Sequence, residues 1–253
     1  KLPAEELLAT IHEYDGLVVR SASKVTKEVI EAATNLKVIG RAGVGVDNID
    51  IEAATAKGII VLNAPEGNTI AATEHTVAMM LSMARNIPQA HSSVQNGEWK
   101  RNQFVGVEMR GKTLGVIGLG RIGSGVAKRA IAFDMKVIGY DPYVNEERAK
   151  TMGIEVVSLE EIYANADFIS VHMPLTAQTK DLINSETISK MKDGVYLVNC
   201  ARGGIINEAD LAEAVKAGKV AGAAIDVFPK EPIEPNSPLL GVDKIVLTPH
   251  LGA

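Results

Sequence analysis

Three side chains suited to holding a small anion and moving a proton stand late in the chain, each a few residues past an apolar run: Arg202, Glu231 and His250. An imidazole, with an unperturbed pKa of about 6.5, takes up a proton close to neutrality. A carboxylate beside it fixes its tautomer and stabilises the imidazolium. A guanidinium grips a carboxylate through two parallel hydrogen bonds and polarises a neighbouring carbonyl. Further upstream, an apolar β-prone run from Lys112 breaks into Gly118-Leu119-Gly120-Arg121-Ile122-Gly123. In a strand–turn–helix setting Gly118 permits the tight turn, Gly120 lets backbone approach a pyrophosphate, and Gly123 lets the helix pack closely on the strand. The phosphates then meet the positive end of a helix. Asp141 closes the next apolar run, Met135 to Tyr140, about 20 residues past the glycines, where a carboxylate accepts hydrogen bonds from an adenosine ribose. That charge repels a ribose phosphate and favours NAD over NADP, although Arg148 follows closely; Pro142 and Tyr143 bring no cation. Oxidising a secondary alcohol with NAD asks for a group to hold the substrate, a base for the hydroxyl proton, and a nicotinamide facing the carbon.

Such groups need a scaffold that brings distant residues to one edge. The C-terminal part alternates strand and helix, with strands read at Leu114 to Ile117, Met135 to Tyr140, Glu155 to Val157, Asp167 to Val171, Gly194 to Val198, Val220 to Ile225 and Lys244 to Leu247. Ser158 to Glu161 reads as a capping box, and Asn207 with Asp210 starts another helix. Strands without polar alternation between helices predict a doubly wound parallel sheet covered on both faces. In such a sheet ligands bind outside the carboxyl ends of the strands. His172-Met173-Pro174, Asn199-Cys200-Ala201-Arg202-Gly203-Gly204, Asp226 through Glu231-Pro232, and Thr248-Pro249-His250 all follow strand ends. His172 is therefore a candidate for the cofactor pocket. His12, His75, His91 and His172 show no metal-ligand spacing, so no metal site is expected. Cys200 reads as a buried thiol, or one made acidic by Arg202.

The first part alternates strand and helix on its own. A helix over Leu2 to Ile11 leads to a short buried strand, Gly16 to Arg20; Thr26 is the expected N-cap of a helix carrying Val29, Ile30 and Ala33. Strands at Lys37 to Gly40 and Ile59 to Leu62 enclose a helix at Ile51 to Ala56. A passage from Asn63 to Thr69 is the expected boundary or hinge, dividing a domain over 1–66 from one over 67–253. Ile70 to Ala84 is a long helix, apolar on more than one side and buried either within the chain or between subunits. Its methionines, Met79, Met80 and Met83, read as packing. A more polar helix from Gln89 to Trp99 ends in Trp99-Lys100-Arg101, either a solvated loop or a partner surface.

At 253 residues, 46% hydrophobic and 23% charged, the chain has the composition of a soluble globular protein. Its net charge of −5 gives no basic field for nucleic acid or a membrane surface. A single cysteine excludes an intramolecular disulfide and fits the cytoplasm. No apolar run approaches the length of a membrane span. Lys1 is not an initiator Met, and both ends read as cut.

With these residues in hand, the chain resembles the D-isomer-specific 2-hydroxyacid dehydrogenases. The likeness is carried by Val19-Arg20-Ser21, Arg41 through Asn48, Gly118 to Gly123, Asn199 to Gly204, Asp226-Val227-Phe228 with Glu231-Pro232, and Pro249 to Ala253. It implies a Rossmann-type NAD domain and a smaller, truncated flavodoxin-like α/β substrate domain whose flanking pieces lie upstream and after His250. By that resemblance Arg202, Glu231 and His250 form the catalytic set of an NAD-dependent oxidoreductase. Gly118, Gly120, Arg121, Ile122, Gly123, Asp141, Pro142, His172, Pro174, Ala201, Asp226, His250 and Gly252 contact the cofactor. Arg20 and Arg41 would face a substrate phosphate, as a second anion needs a second cation; Gly43, Val44 and Gly45, with Arg202 and His250, would line the rest of the substrate site. The implied substrate is D-3-phosphoglycerate, and the implied partner is a second copy of the chain, as homodimer or homotetramer, through Ile70 to Trp99, with Arg101 reaching across. Two rivals remain: a glyoxylate or hydroxypyruvate reductase of the same family, and a non-catalytic NAD-sensing corepressor on the same scaffold, which an intact Arg202, Glu231 and His250 argues against.

Overall fold

A computed structural model describes residues 2–252. Lys1 and Ala253, the outer ends of the two expected domains, lie outside the described residues. The chain divides into two compact units, Lys1–Thr69 and Ile70–Ala253.

In the smaller unit β1 (Gly16–Val19), β2 (Val38–Arg41) and β3 (Ile60–Asn63) form a parallel sheet in that order. Helix α1 (Ala4–Thr10) precedes β1, and helices α2 (Lys27–Ala32) and α3 (Ile51–Ala56) connect the strands. Alternation decides the core: Val19 and Ile39 pack with Ile11, Ile30 and Ala54 in one buried cluster. The expectation of a buried first strand is corrected, because Val18 is 77% exposed, as are Ile60 (61%) and Leu62 (57%) on the same face of the sheet. The buried cluster that joins α1, α2 and α3 to the sheet draws on its other face. Two ends also differ from expectation. The first helix stops at Thr10 and tightens into a single 3₁₀ turn, Ile11–Glu13. Thr26 stands at the N-cap of α2, but its side chain makes no capping hydrogen bond. At α3 the Asp50 carboxylate does accept the Ala53 N–H, at 2.9 Å.

The larger unit opens with α4 (Thr69–Ala84) and α5 (Ile87–Gln95). The second of these was expected over Gln89 to Trp99. Pro88 in the first turn favours the earlier start, and left-handed Gly97 follows its end. Then come β4 (Thr113–Ile117), α6 (Arg121–Ala132), β5 (Lys136–Tyr140), α7 (Glu146–Thr151), β6 (Glu155–Val156), α8 (Leu159–Asn165) and β7 (Phe168–Val171). After these follow α9 (Ser185–Ser189), β8 (Val195–Asn199), α10 (Glu208–Lys216), β9 (Val220–Ile225) and β10 (Ile245–Leu247). All seven strands are parallel, in the order β10-β9-β8-β7-β4-β5-β6. The order reverses between β4 and β7, the switch point at which doubly wound sheets bind their ligands.

Period-2 alternation along these strands feeds two cores. Leu114, Val116, Phe168 and Val198 join α4 and α6 on one face, with Met79, Met80 and Met83 as packing; Ile117, Ile169, Val171 and Leu197 join α8 and α10 on the other. Thus one face of α4 is buried within its own chain, while Ile70, Glu74 and Ala78 stay exposed. Helix starts follow their caps. Ser158 and Glu161 form the expected reciprocal box at α8, and Asn207 accepts from the Asp210 N–H at α10. Two glycines let layers approach. A Cβ on Gly115 would stand 2.6 Å from Ile162 Cγ2 of α8, and one on Gly125 of α6 would stand 2.8 Å from Thr73 Oγ1 of α4. Phe168, fully buried, stacks on Tyr196 with ring centroids 4.7 Å apart. Truncating it as Phe168→Ala leaves a cavity in the central strand and lowers unfolding stability by about 3–5 kcal/mol, read from denaturant melts.

Candidate active site

The dinucleotide turn forms where β4 hands over to α6. Gly118 adopts φ 98°, outside the range of L side chains, and a Cβ there would lie 2.6 Å from the His172 carbonyl oxygen. Gly123 is as constrained, since a Cβ on it would run into the Gly118 carbonyl. Gly120, at the N-cap of α6, is different: a Cβ would meet nothing within 4 Å, and no side chain caps the helix. An open backbone ahead of an uncapped helix start is what an anionic pyrophosphate requires. Arg121 and Ile122 form the first turn behind it.

Asp141, just past β5, holds this turn in place. Its Oδ2 accepts the Leu119 N–H at 2.9 Å and its Oδ1 the Tyr143 N–H at 2.8 Å. Each carboxylate oxygen retains a lone pair for a ribose hydroxyl. Pro142 beside it is exposed. Past β7, the His172 N–H donates to Ile117 O at 2.7 Å, and the ring Nε2 lies 2.8 Å from Ser170 Oγ. Burial pushes this imidazole down to about 4, so it is neutral near pH 7. Pro174 accepts from the Thr179 hydroxyl at 2.6 Å.

Past β8, Asn199 shapes the arginine turn by accepting the Ala201 N–H at 3.0 Å and donating to Arg202 O at 2.9 Å. The Arg202 Nη1 donates to Ala201 O at 2.7 Å. A Cβ on Gly203 would overlap the Phe228–Pro229 backbone, so this turn lies directly on the loop after β9. That loop carries Glu231, whose Oε1 accepts the Phe228 N–H at 3.2 Å. Its other oxygen, Oε2, lies 2.8 Å from His250 Nδ1. Both side chains remain open to solvent: His250 is 40% exposed and Glu231 38%. The His250 backbone is left-handed, at φ 55°, and its N–H donates to Asp226 O at 2.9 Å. The Asp226 carboxylate, wholly buried, accepts the N–H groups of Leu251 and Gly252 at 2.8 Å each, and the Thr248 hydroxyl.

In the smaller unit Arg20 and Arg41 stand at the carboxyl ends of β1 and β2. Arg41 Nε donates to Asn48 Oδ1 at 3.3 Å, and Asn48 Nδ2 donates to Arg20 O at 3.1 Å, linking the two segments. Gly43, Val44 and Gly45 follow, tied down by Asn63 Nδ2 donating to Val44 O at 2.8 Å. Arg20 and Arg41 therefore share one sheet edge, while the glycine turn, Asp141, His172, Arg202, Asp226, Glu231 and His250 share the corresponding edge of the larger unit.

Several participants carried no sequence signal. Asn48, Asn199 and Thr248 lay inside the strings read for their neighbours, and His75 lay in an apolar helix. His75, Cys200 and Asp226 bring their donor atoms within 4.8 Å of one another, the one such trio of metal-type donors among the described residues. Their sequence spacing hid this, since each comes from a different element. The Asp226 oxygens already accept several N–H and O–H groups, and burial pushes the Cys200 thiol up to about 12, which keeps it protonated.

Residues 77–252 match the description "D-isomer specific 2-hydroxyacid dehydrogenase, NAD binding domain". The chain belongs to the D-isomer specific 2-hydroxyacid dehydrogenase family. The D-3-phosphoglycerate dehydrogenase of Archaeoglobus fulgidus is 57% identical over 249 residues, 98% of this chain and 47% of that protein. Among solved structures, the TT0316 protein from Thermus thermophilus superposes with a TM-score of 0.91 at 37% identity, covering 100% of this chain and 80% of that one. A D-lactate dehydrogenase from Aquifex aeolicus, complexed with NAD and lactic acid, gives a TM-score of 0.88 at 34% identity, covering 100% of this chain and 79% of that one. The chain spans about half the length of the curated relatives it matches. No described helix is long and apolar enough to cross a membrane.

Because burial lowers the His172 pKa from 6.5 to about 4, this group adds folding stability below the unfolded value only with a negative sign: the unfolded chain binds the proton first, so stability is lost as pH falls from 6.5 toward 4. Its ring proton resonances should stay fixed between about pH 5 and pH 8 in an NMR titration, in a range where an ordinary histidine shifts.

Proposed function

We propose that the chain carries the catalytic core of a D-3-phosphoglycerate dehydrogenase, oxidising D-3-phosphoglycerate to 3-phosphohydroxypyruvate with NAD at the entry to serine biosynthesis. The observation that carries this reading is the 2.8 Å contact between His250 Nδ1 and Glu231 Oε2 at the sheet edge that holds the dinucleotide turn. Likeness to curated relatives named for that activity supports it.

An ionised carboxylate only accepts hydrogen bonds, so Glu231 keeps the proton on His250 Nδ1 and leaves Nε2 free as the base. Nε2 takes the hydroxyl proton of the substrate, and Glu231 stabilises the imidazolium that results. Arg202 binds the substrate carboxylate and orients the reacting carbon. Gly118, Gly120, Arg121, Ile122 and Gly123 would hold the pyrophosphate, Asp141 and Pro142 the adenosine ribose, and His172, Pro174, Ala201 and Gly252 the remainder of NAD, with the buried Asp226 fixing the Gly252 turn beside it. When bound, NAD accepts the hydride leaving the alcohol carbon. The smaller unit is the substrate domain, in which Arg20 and Arg41 pair with the phosphate while the backbone of Gly43, Val44 and Gly45 lies by the carboxylate. Exposed Ile87, Val94 and Trp99 supply the contact between two copies, and the single Cys200 suits the cytoplasm.

The test is NADH formation with phosphoglycerate, glycerate, lactate and malate in parallel; turnover of an unphosphorylated acid in preference to phosphoglycerate overturns the substrate assignment. His250→Ala should cut kcat by roughly 10²–10⁴-fold, the worth of a positioned general base, while NAD affinity measured by fluorescence is retained. Arg41→Ala should raise the KM for phosphoglycerate by at least about tenfold, the equivalent of a charge-assisted hydrogen bond, and leave that for glycerate nearly unchanged.

A further inference from the structure

We propose that His75 is a positioning residue for the base, acting through Asp226 to fix the turn that carries His250. This rests on the catalytic reading of His250 given above. The turn from Thr248 to Gly252 follows β10, which is only three residues long and stands at the edge of the sheet. The His250 imidazole is 40% exposed, and its left-handed backbone is unfavourable for a residue with a side chain. Restraint has to come from elsewhere, and Asp226 supplies it. The carbonyl of Asp226 accepts the His250 N–H, and its carboxylate accepts the N–H groups of Leu251 and Gly252 together with the Thr248 hydroxyl.

An aspartate carboxylate rotates readily about χ2, so it orients a loop only if it is itself held. Outside the terminal segment, the His75 imidazole of α4 stands within ion-pair distance of it and bonds its partner Thr248. His75 Nε2 lies 3.1 Å from Asp226 Oδ1 and 3.3 Å from Thr248 Oγ1. Because the Thr248 hydroxyl donates its proton to Asp226 Oδ1, it accepts from the His75 ring, so the Nε2 position carries the proton and holds the hydroxyl against the carboxylate. A second observation points the same way. A Cβ on Gly252 would stand 3.2 Å from Asp226 Oδ2, 3.8 Å from His75 Cδ2 and 3.9 Å from Ala72 Cα, so the turn is seated against the α4 face that presents His75. A histidine with 18% side-chain exposure, in a helix whose buried residues are otherwise Ala, Thr, Val and Met, is accounted for by this contact.

Two variants separate positioning from bulk packing. His75→Leu keeps the volume and removes the donor, whereas His75→Gln returns an N–H near the Nε2 position. In the intact protein His75→Leu should lower kcat by roughly 10- to 100-fold, as for loss of the donor that holds the Thr248 hydroxyl on the buried carboxylate, with a smaller change in KM for the hydroxy acid. Amide hydrogen exchange at Leu251 and Gly252 should speed up in His75→Leu, and His75→Gln should restore both exchange and kcat. Should His75→Leu not fold, His75→Asn, whose amide is too short to reach Asp226, takes its place. Unchanged exchange at Leu251 and Gly252 in the donor-less variant overturns the proposal, as does failure of His75→Gln to restore it. If the unsubstituted protein reduces no NAD with any 2-hydroxy acid, the functional reading fails on its own; the exchange comparison still decides whether His75 holds the turn.

Discussion

A fully buried carboxylate that accepts hydrogen bonds from the turn past β10, beside an imidazole from α4, is the constraint on which the rest of this site depends. Burying a charge is tolerable only when its lone pairs are satisfied, and Asp226 satisfies them with two backbone N–H groups and a threonine hydroxyl that is itself bonded by the His75 imidazole. The penalty for leaving any of these unmade couples β9, α4 and the turn past β10. A residue at the end of a three-residue edge strand would otherwise be among the least ordered in the unit. Asp226 converts it into one whose backbone is specified on both sides.

The same logic recurs along the sheet edge, where polar side chains at or just past the strand ends bond the neighbouring loops. Asp141 bonds the glycine turn, Asn199 bonds the arginine turn, and Glu231 bonds both its own loop and His250. In the smaller unit Asn48 and Asn63 do likewise for Arg20, Arg41 and Val44. Parallel strands make this possible because every carboxyl end lies at one edge, and the loops there are free of the ladder hydrogen bonds. The polar groups that remain open, the Gly120 backbone and the outward side of the His250 ring, are those a ligand would complete.

Much of the scaffold was legible in the chain. The unbroken apolar runs at Leu114 to Ile117 and Val220 to Ile225 specified parallel strands, and Ser158, Asn207 and Asp210 marked helix starts through bonds made within a few residues. Local devices of this kind depend on spacing alone. Where spacing underdetermined the outcome, reading and structure part. Val18 looked like a core residue because it is apolar, but which face of a sheet is covered is a tertiary matter. Thr26 has the type of a cap and the N-cap position, but its side chain makes no capping hydrogen bond. Helix α5 starts at Ile87, two residues before the expected Gln89, because the fixed φ of Pro88 suits a first turn.

The sequence by itself determined the chemistry on offer. The glycine spacing, the acid after the second strand, and an arginine, a glutamate and a histidine past strand ends are local facts that survive any packing. Only the tertiary structure decided which of these groups touch, because hydrogen bonds act over about 3 Å and have no memory of separation along the chain. The contact of Glu231 with His250, the seating of Gly203 on Phe228, and above all the meeting of His75 with Asp226, join residues from separate strands and helices. Those meetings exist because the parallel sheet and its two cores bring the strand ends side by side.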